Sequence, residues 1–73
     1  MAKGAIWSMK IDVNGESREI TGTTVAAALA EMGWAEARVA TALNGQFVPK
    51  AARDTTALTE GCRLEVLAPM QGG

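Results

Sequence analysis

Seventy-three residues with seven basic and eight acidic side chains, a net charge of −1, allow one small domain and offer no basic stripe for nucleic acid. The chain has no histidine and a single cysteine, Cys62, which excludes a Ser-His-Asp triad, an internal disulfide, and imidazole or paired-thiolate metal sites. A domain this small buries only about 60% of the surface its unfolded chain exposes, so little room is expected for an internal active-site cavity.

A lone thiol predicts a reducing compartment, the cytoplasm. No apolar run approaches the ~20 residues that span a bilayer, and Met1-Ala2-Lys3-Gly4 does not open a secretory signal. From Trp7 to Val13, apolar side chains fall on every second residue, the period of a half-buried strand. Asn14-Gly15 follows as a two-residue hairpin turn, since both positions tolerate positive φ. Glu16 to Thr21 returns as the partner, with Val13 facing Glu16, Ile11 facing Arg18 and Met9 facing Ile20. Only Ile20 adds bulk to the buried face, which predicts an edge strand. Gly22-Thr23-Thr24 then ends the alternation and supplies a threonine cap. Val25, Ala28, Leu29 and Met32 form one apolar stripe at helical spacing; Gly33 stops the helix and Trp34 packs back on Leu29.

Ala35 to Arg38 read as a connector. Val39, Thr41 and Leu43 alternate with Ala40 and Ala42 as a third strand, and Asn44-Gly45 supplies a second hairpin turn. Gln46 to Val48 returns until Pro49 stops the pairing. Residues 50–57 are small or polar and predict a loop or a single helical turn, with Leu58 as the sizeable apolar anchor. Glu60-Gly61 leads into a last strand, Cys62 to Leu67, in which Leu64 and Val66 face inward and Arg63, Glu65 and Leu67 outward. Arg18, Arg38, Lys50, Arg53 and Arg63 are scattered, as expected of a solvated surface. Hairpin, helix, hairpin and strand make an α+β fold: one mixed sheet of about five strands with a single main helix on one face. The first and last strands are the most apolar and are placed side by side, parallel, at the centre, which is the ubiquitin-like β-grasp topology. The domain is expected over residues 1–68, with a flexible tail over 69–73.

Ala68-Pro69-Met70-Gln71-Gly72-Gly73, extended at ~3.3 Å per residue, reaches about 20 Å beyond the sheet. Pro69 blocks further pairing, and Gly72 and Gly73 carry no side chain, so a carboxylate there can enter a narrow channel where any Cβ would clash. A frayed, glycine-rich terminus without a role is the alternative. Leu67, facing outward beside the tail, forms with Met70 a candidate docking patch; Phe47 either extends it or packs into the core.

Thr41-Ala42-Leu43-Asn44-Gly45-Gln46-Phe47-Val48-Pro49-Lys50 resembles the second hairpin of the ThiS family, the sulfur carriers of thiamine biosynthesis. Leu58-Thr59-Glu60-Gly61, Leu64-Glu65-Val66 and the Pro-Met-Gln-Gly-Gly ending resemble the close of the same family. The opening Ile11 to Glu16 and the Thr24-Val25…Leu29…Gly33 helix fit it too, so the resemblance covers residues 9 to 73 in unbroken order. Cys62 departs from it, standing where family members often carry an acidic residue, and Met1 to Ser8 are not needed for it.

The resemblance implies a protein substrate rather than an enzyme. A partner of the E1-like adenylating class uses ATP and Mg²⁺ to adenylate the terminal glycine carboxylate. Sulfur from a cysteine desulfurase relay then replaces the adenylate, and thiazole synthase takes the sulfur from the resulting thiocarboxylate. By this resemblance Gly73 carries the sulfur, while Gly72 and Gln71 thread the tail into the partner. No cofactor is expected to bind the carrier itself. A molybdopterin-type sulfur carrier and a β-grasp interaction module without covalent chemistry are the alternatives. The inward parity of Cys62 makes it a small core residue rather than a redox thiol, since no helix N-terminus or basic partner is visible to activate it.

Overall fold

Alternation of bulky and polar side chains decides which side of each strand is dry, and the computed structural model, which describes residues 8–35 and 38–68, buries Ile11, Val13, Leu64 and Val66 accordingly. The elements run β1 (Met9–Val13), β2 (Glu16–Ile20), α1 (Val25–Glu31), β3 (Ala40–Leu43), β4 (Gln46–Val48), a 3₁₀ turn (Lys50–Ala52) and β5 (Arg63–Leu67). They form a five-stranded sheet in the order β2-β1-β5-β3-β4. β5 is the central strand, parallel to β1 of the first hairpin and antiparallel to β3 of the second, so the two hairpins flank it. This is the β-grasp arrangement expected from the order of elements.

The first hairpin has the register that its two-residue turn dictates: Met9 opposite Ile20, Ile11 opposite Arg18, Val13 opposite Glu16. Ile20 is the only buried residue of β2, which lies at the sheet edge as its polar sequence predicts. Four strand ends differ slightly from expectation: besides β1 and β5, β2 stops at Ile20 before Thr21 and β3 begins at Ala40 after Val39. β1 begins at Met9, and Trp7 lies outside the described residues. β5 begins at Arg63 rather than Cys62, although Cys62 still faces the core.

Seven residues are too few for a helix that stands on its own propensity, so α1 depends on its surroundings. Its first-turn N–H groups all find acceptors. Ala27 donates to Thr24 Oγ1 at 3.1 Å, Val25 to the Thr56 carbonyl at 3.0 Å and Ala26 to the Arg53 carbonyl at 3.0 Å. The weakly patterned stretch after β4 is therefore the far half of the helix cap. At the other end Gly33 takes φ +87° and Trp34 N–H reaches back to the Leu29 carbonyl at 2.7 Å, the left-handed stop that Gly33 suggests. Val25, Ala28 and Leu29 pack into the core with Ile11, Leu58 and Leu64, and Met32 and Trp34 lie against its margin.

The loop from β2 to α1 is fastened by a side chain that the helix dipole alone would disfavour. Glu31 puts a negative charge in the last turn of α1, where the dipole favours cations. Its carboxylate instead accepts from Thr21 N–H, Gly22 N–H and Thr21 Oγ1–H, each at 3.0 Å. Gly22 also passes α1 so closely that a Cβ there would stand 2.5 Å from the Ala27 Cβ. The backbone donors of Thr21 and Gly22 hold the Glu31 carboxyl below its ordinary value of 4.5. A lowered folded-state pKa contributes stability above the unfolded value and loses it as pH falls through the folded one. The stability difference between wild type and Glu31→Gln in urea melts is accordingly expected to be largest near neutral pH and to shrink progressively below pH 4.5. A difference independent of pH between 7 and 3 would contradict the clamp.

Candidate functional site

Strand β5 carries the chain toward the tail, and its alternation sorts its side chains onto two faces. Leu64 and Val66 are buried against the helix side, while Arg63, Glu65 and Leu67 stand exposed on the opposite face. β3 pairs with β5 so that Ala40 lies opposite Leu67 and Ala42 opposite Glu65. β4 in turn sets Phe47 opposite Ala42. Cross-strand partners share a face, so Leu67 and Phe47 emerge on the same side of the sheet, over two alanines too small to cover them. They are 64% and 69% exposed, the large exposed hydrophobics among the described residues. Two strand spacings and two residues of offset put their Cα atoms on the order of 12 Å apart, so they share a patch without touching. Phe47, open to either assignment in sequence, thus belongs to the outer face. Met70, Gln71, Gly72 and Gly73 lie outside the described residues.

The root of the tail is held on both flanks. On one side Thr41 and Ala40 of β3 pair with Val66 and Leu67. On the other, β1 is already turning away at Asn14, and the Asn14 side chain takes over: Nδ2 donates to the Val66 carbonyl at 3.0 Å, and Val66 N–H donates to Oδ1 at 2.9 Å. Asn44, in the second turn, meets the start of β5, accepting from Arg63 N–H at 2.8 Å. Both asparagines take positive φ, 53° and 50°, as the turns require. Sequence reasoning read them as turn formers only. Their second role carries no local signal, since Asn-Gly is already a favoured pair for such a turn.

One expectation is corrected. Arg53 is half-buried and engaged rather than freely solvated. Its Nε donates to Thr41 Oγ1 at 3.1 Å and its Nη2 to the Val39 carbonyl at 2.6 Å. Thr41 occupies the inward face of β3, and a buried hydroxyl must be satisfied; it also donates to the Val48 carbonyl at 2.8 Å. A threonine in the otherwise apolar inward row of Val39, Thr41 and Leu43 signals that a partner is needed, though not which one. Cys62 is 4% exposed in the core cluster, directly before β5 and at the opposite end of that strand from Leu67. Among the described residues no group of three or more His, Cys, Asp or Glu could hold a metal ion. No helix among them is long and apolar enough to cross a membrane.

The ThiS family model matches residues 11–73, the β-grasp domain together with the Gly72-Gly73 end. The chain belongs to the ThiS family. Among solved structures, that of the thiamine biosynthesis protein ThiS from Geobacter metallireducens superposes with a TM-score of 0.76 at 32% identity, covering 89% of this chain and 100% of that one. Among curated proteins, a thiazole synthase of Paramagnetospirillum magneticum is 38% identical over 66 residues, 89% of this chain. The chain spans only 20% of that protein's length. A ThiS-like segment is therefore one part of a longer protein that bears the name of a synthase.

The facing of β5 makes a direct prediction. Leu64→Lys buries an unpaired charge at a site with no exposure and is expected to cost several kcal/mol, enough to unfold a marginally stable domain. Leu67→Lys should change stability by no more than about 0.5 kcal/mol. Equal destabilisation of the two in urea melts would show the assignment to be wrong.

Proposed function

We propose that this protein is a sulfur carrier of thiamine biosynthesis, and that the carboxylate of Gly73 is the group that carries the sulfur. The observation that supports this most strongly is that the ThiS match runs through the whole domain to Gly73. A rigid strand root beside an exposed apolar patch fits the role, because such a carrier must be gripped by its body while its tail enters another protein's active site.

The chemistry follows from the group itself. A carboxylate is a poor acyl donor, since oxide would have to leave. An E1-like adenylating enzyme, with ATP and Mg²⁺, joins the carboxylate oxygen to the α-phosphorus and releases pyrophosphate. The terminal sulfur of a persulfide from a cysteine desulfurase relay then attacks the acyl carbon and AMP departs; a thiol cleaves the S–S bond of the resulting acyl disulfide, leaving the thiocarboxylate and a disulfide. A thiazole synthase consumes that sulfur; the relative of that name supports this partner. The carrier supplies no acid, base or metal ligand to these steps, so a chain without histidine is adequate. Gly72 and Gln71 thread the channel, and Leu67, Phe47 and Met70 form the docking surface. The ThiS match and the ThiS structural neighbour favour this branch over a molybdopterin-type carrier, and the extension of that match through Gly72-Gly73 favours it over a non-covalent module.

One alanine appended after Gly73 moves the carboxylate about 3.5 Å and adds a methyl where the channel is narrow. Misplacement of about 1 Å can cost ~100-fold in a positioned reaction. The extended protein and a Gly73 deletion are expected to fold normally and to form neither adenylate nor thiocarboxylate with the activating enzyme, ATP and a sulfur source. Cys62→Ala should load like wild type. Leu67→Lys should load at saturating enzyme but bind it at least about tenfold more weakly. Loading of the extended protein, by intact mass, would overturn the assignment of Gly73.

A further inference from the structure

The pairing of β1 with β5 is short. Parallel partners are limited to Asp12 with Arg63 and Val13 with Leu64, and the last backbone bond is Asn14 N–H to the Leu64 carbonyl at 3.1 Å. Beyond it the first hairpin turns back, while β5 continues to Leu67. Val66 would then present a backbone N–H and C=O toward a neighbour that is no longer there, and a strand end with open rungs frays. The Asn14 carboxamide closes both, at 2.9 and 3.0 Å, across a sequence separation of 52 residues.

We propose that Asn14 is a positioning residue for the residues that follow β5: its side chain supplies the rung that β1 lacks and fixes the end of β5. This rests on the sulfur-carrier reading, since it concerns delivery of Gly73. With Val66 released on the β1 side, the end of β5 is held by its β3 pairing alone, so Val66 and Leu67 open more often and lengthen the segment that must thread the partner. The docked face and the reactive carboxylate are then joined by a longer, looser link, and each added residue lowers the share of time spent in the reactive geometry. Asn44 is the internal contrast. It has the same residue type, the same turn and the same positive φ, and it contacts the same strand, but at Arg63, the end away from the tail.

The test compares Asn14→Gly with Asn44→Gly, since glycine keeps the positive φ and deletes only the side chain. Carrier-dependent ATP–pyrophosphate exchange by the activating enzyme gives kcat and KM, and amide hydrogen exchange reads the Val66 N–H directly. Asn14→Gly is expected to lower kcat at least about tenfold with KM changed less than about threefold, and to speed exchange at Val66 by about tenfold or more. Asn44→Gly should keep near wild-type kcat and Val66 exchange. Asn14→Asp retains the acceptor for Val66 N–H but loses the donor to its carbonyl, and should fall between wild type and Asn14→Gly. Equal kcat losses in the two glycine variants, or unchanged kcat in Asn14→Gly despite faster Val66 exchange, overturns the positioning role. Unchanged Val66 exchange overturns the clamp. A wild-type protein that supports no pyrophosphate exchange refutes the sulfur-carrier reading instead, and the hydrogen-exchange comparison still decides whether Asn14 holds the end of β5.

Discussion

Everything in this small domain leans on one strand, β5, and on how its backbone polar groups are satisfied along its whole length. It lies between β1 and β3, and each end is met by an asparagine side chain from a different hairpin turn. A buried strand cannot leave N–H and C=O groups open, so these carboxamides are structural requirements rather than embellishments. Both asparagines do two jobs, tolerating the turn's positive φ and bonding to a strand distant in sequence. The inward residues of β5, Leu64 and Val66, then form the centre of the core against which Ile11, Val25 and Leu29 pack.

The same economy governs the other side of the sheet. The seven-residue α1 could not persist alone, and the segment after β4 contributes its Arg53 and Thr56 carbonyls to the helix N-terminus. That segment is tied to β3 through the Arg53 side chain, which satisfies Thr41 and the Val39 carbonyl. Helix, loop and sheet are therefore mutually dependent, as expected where about 60% burial leaves little to spare. What remains free is the outer face with Leu67 and Phe47, beside the end of β5. On the proposed reading the division of labour is sharp: a body that is recognised, and a tail that reacts.

Much of this was legible in sequence, and the reasons differ by element. Hairpin registers followed from two-residue Asn-Gly turns, because turn length and side-chain parity leave one pairing that buries Ile11, Val13 and Ile20 together. The helix stop followed from Gly33, and the inward face of β5 from Leu64 and Val66. Phe47 was ambiguous because a three-residue strand gives too short an alternation to choose a face. The roles of Asn14 and Arg53 were hidden for a different reason. They depend on partners brought together only by the fold, 52 residues away in the case of Asn14. Backbone carbonyls that cap a helix leave no mark in sequence at all. The chemistry proposed for Gly73, by contrast, rests on Gly72-Gly73 and the family match alone.

The account's central claim is chemical: sulfur is carried on the carboxyl carbon of Gly73 and nowhere else in the chain. Fragment-ion mass spectrometry of the wild-type protein, after incubation with the activating enzyme, ATP and a sulfur source, locates the atom. The account predicts one oxygen replaced by sulfur in the fragment that contains Gly73, with the Cys62 fragment unchanged. Sulfur on Cys62, or a Gly73 fragment that keeps both oxygens while the sulfur product is made, would contradict it.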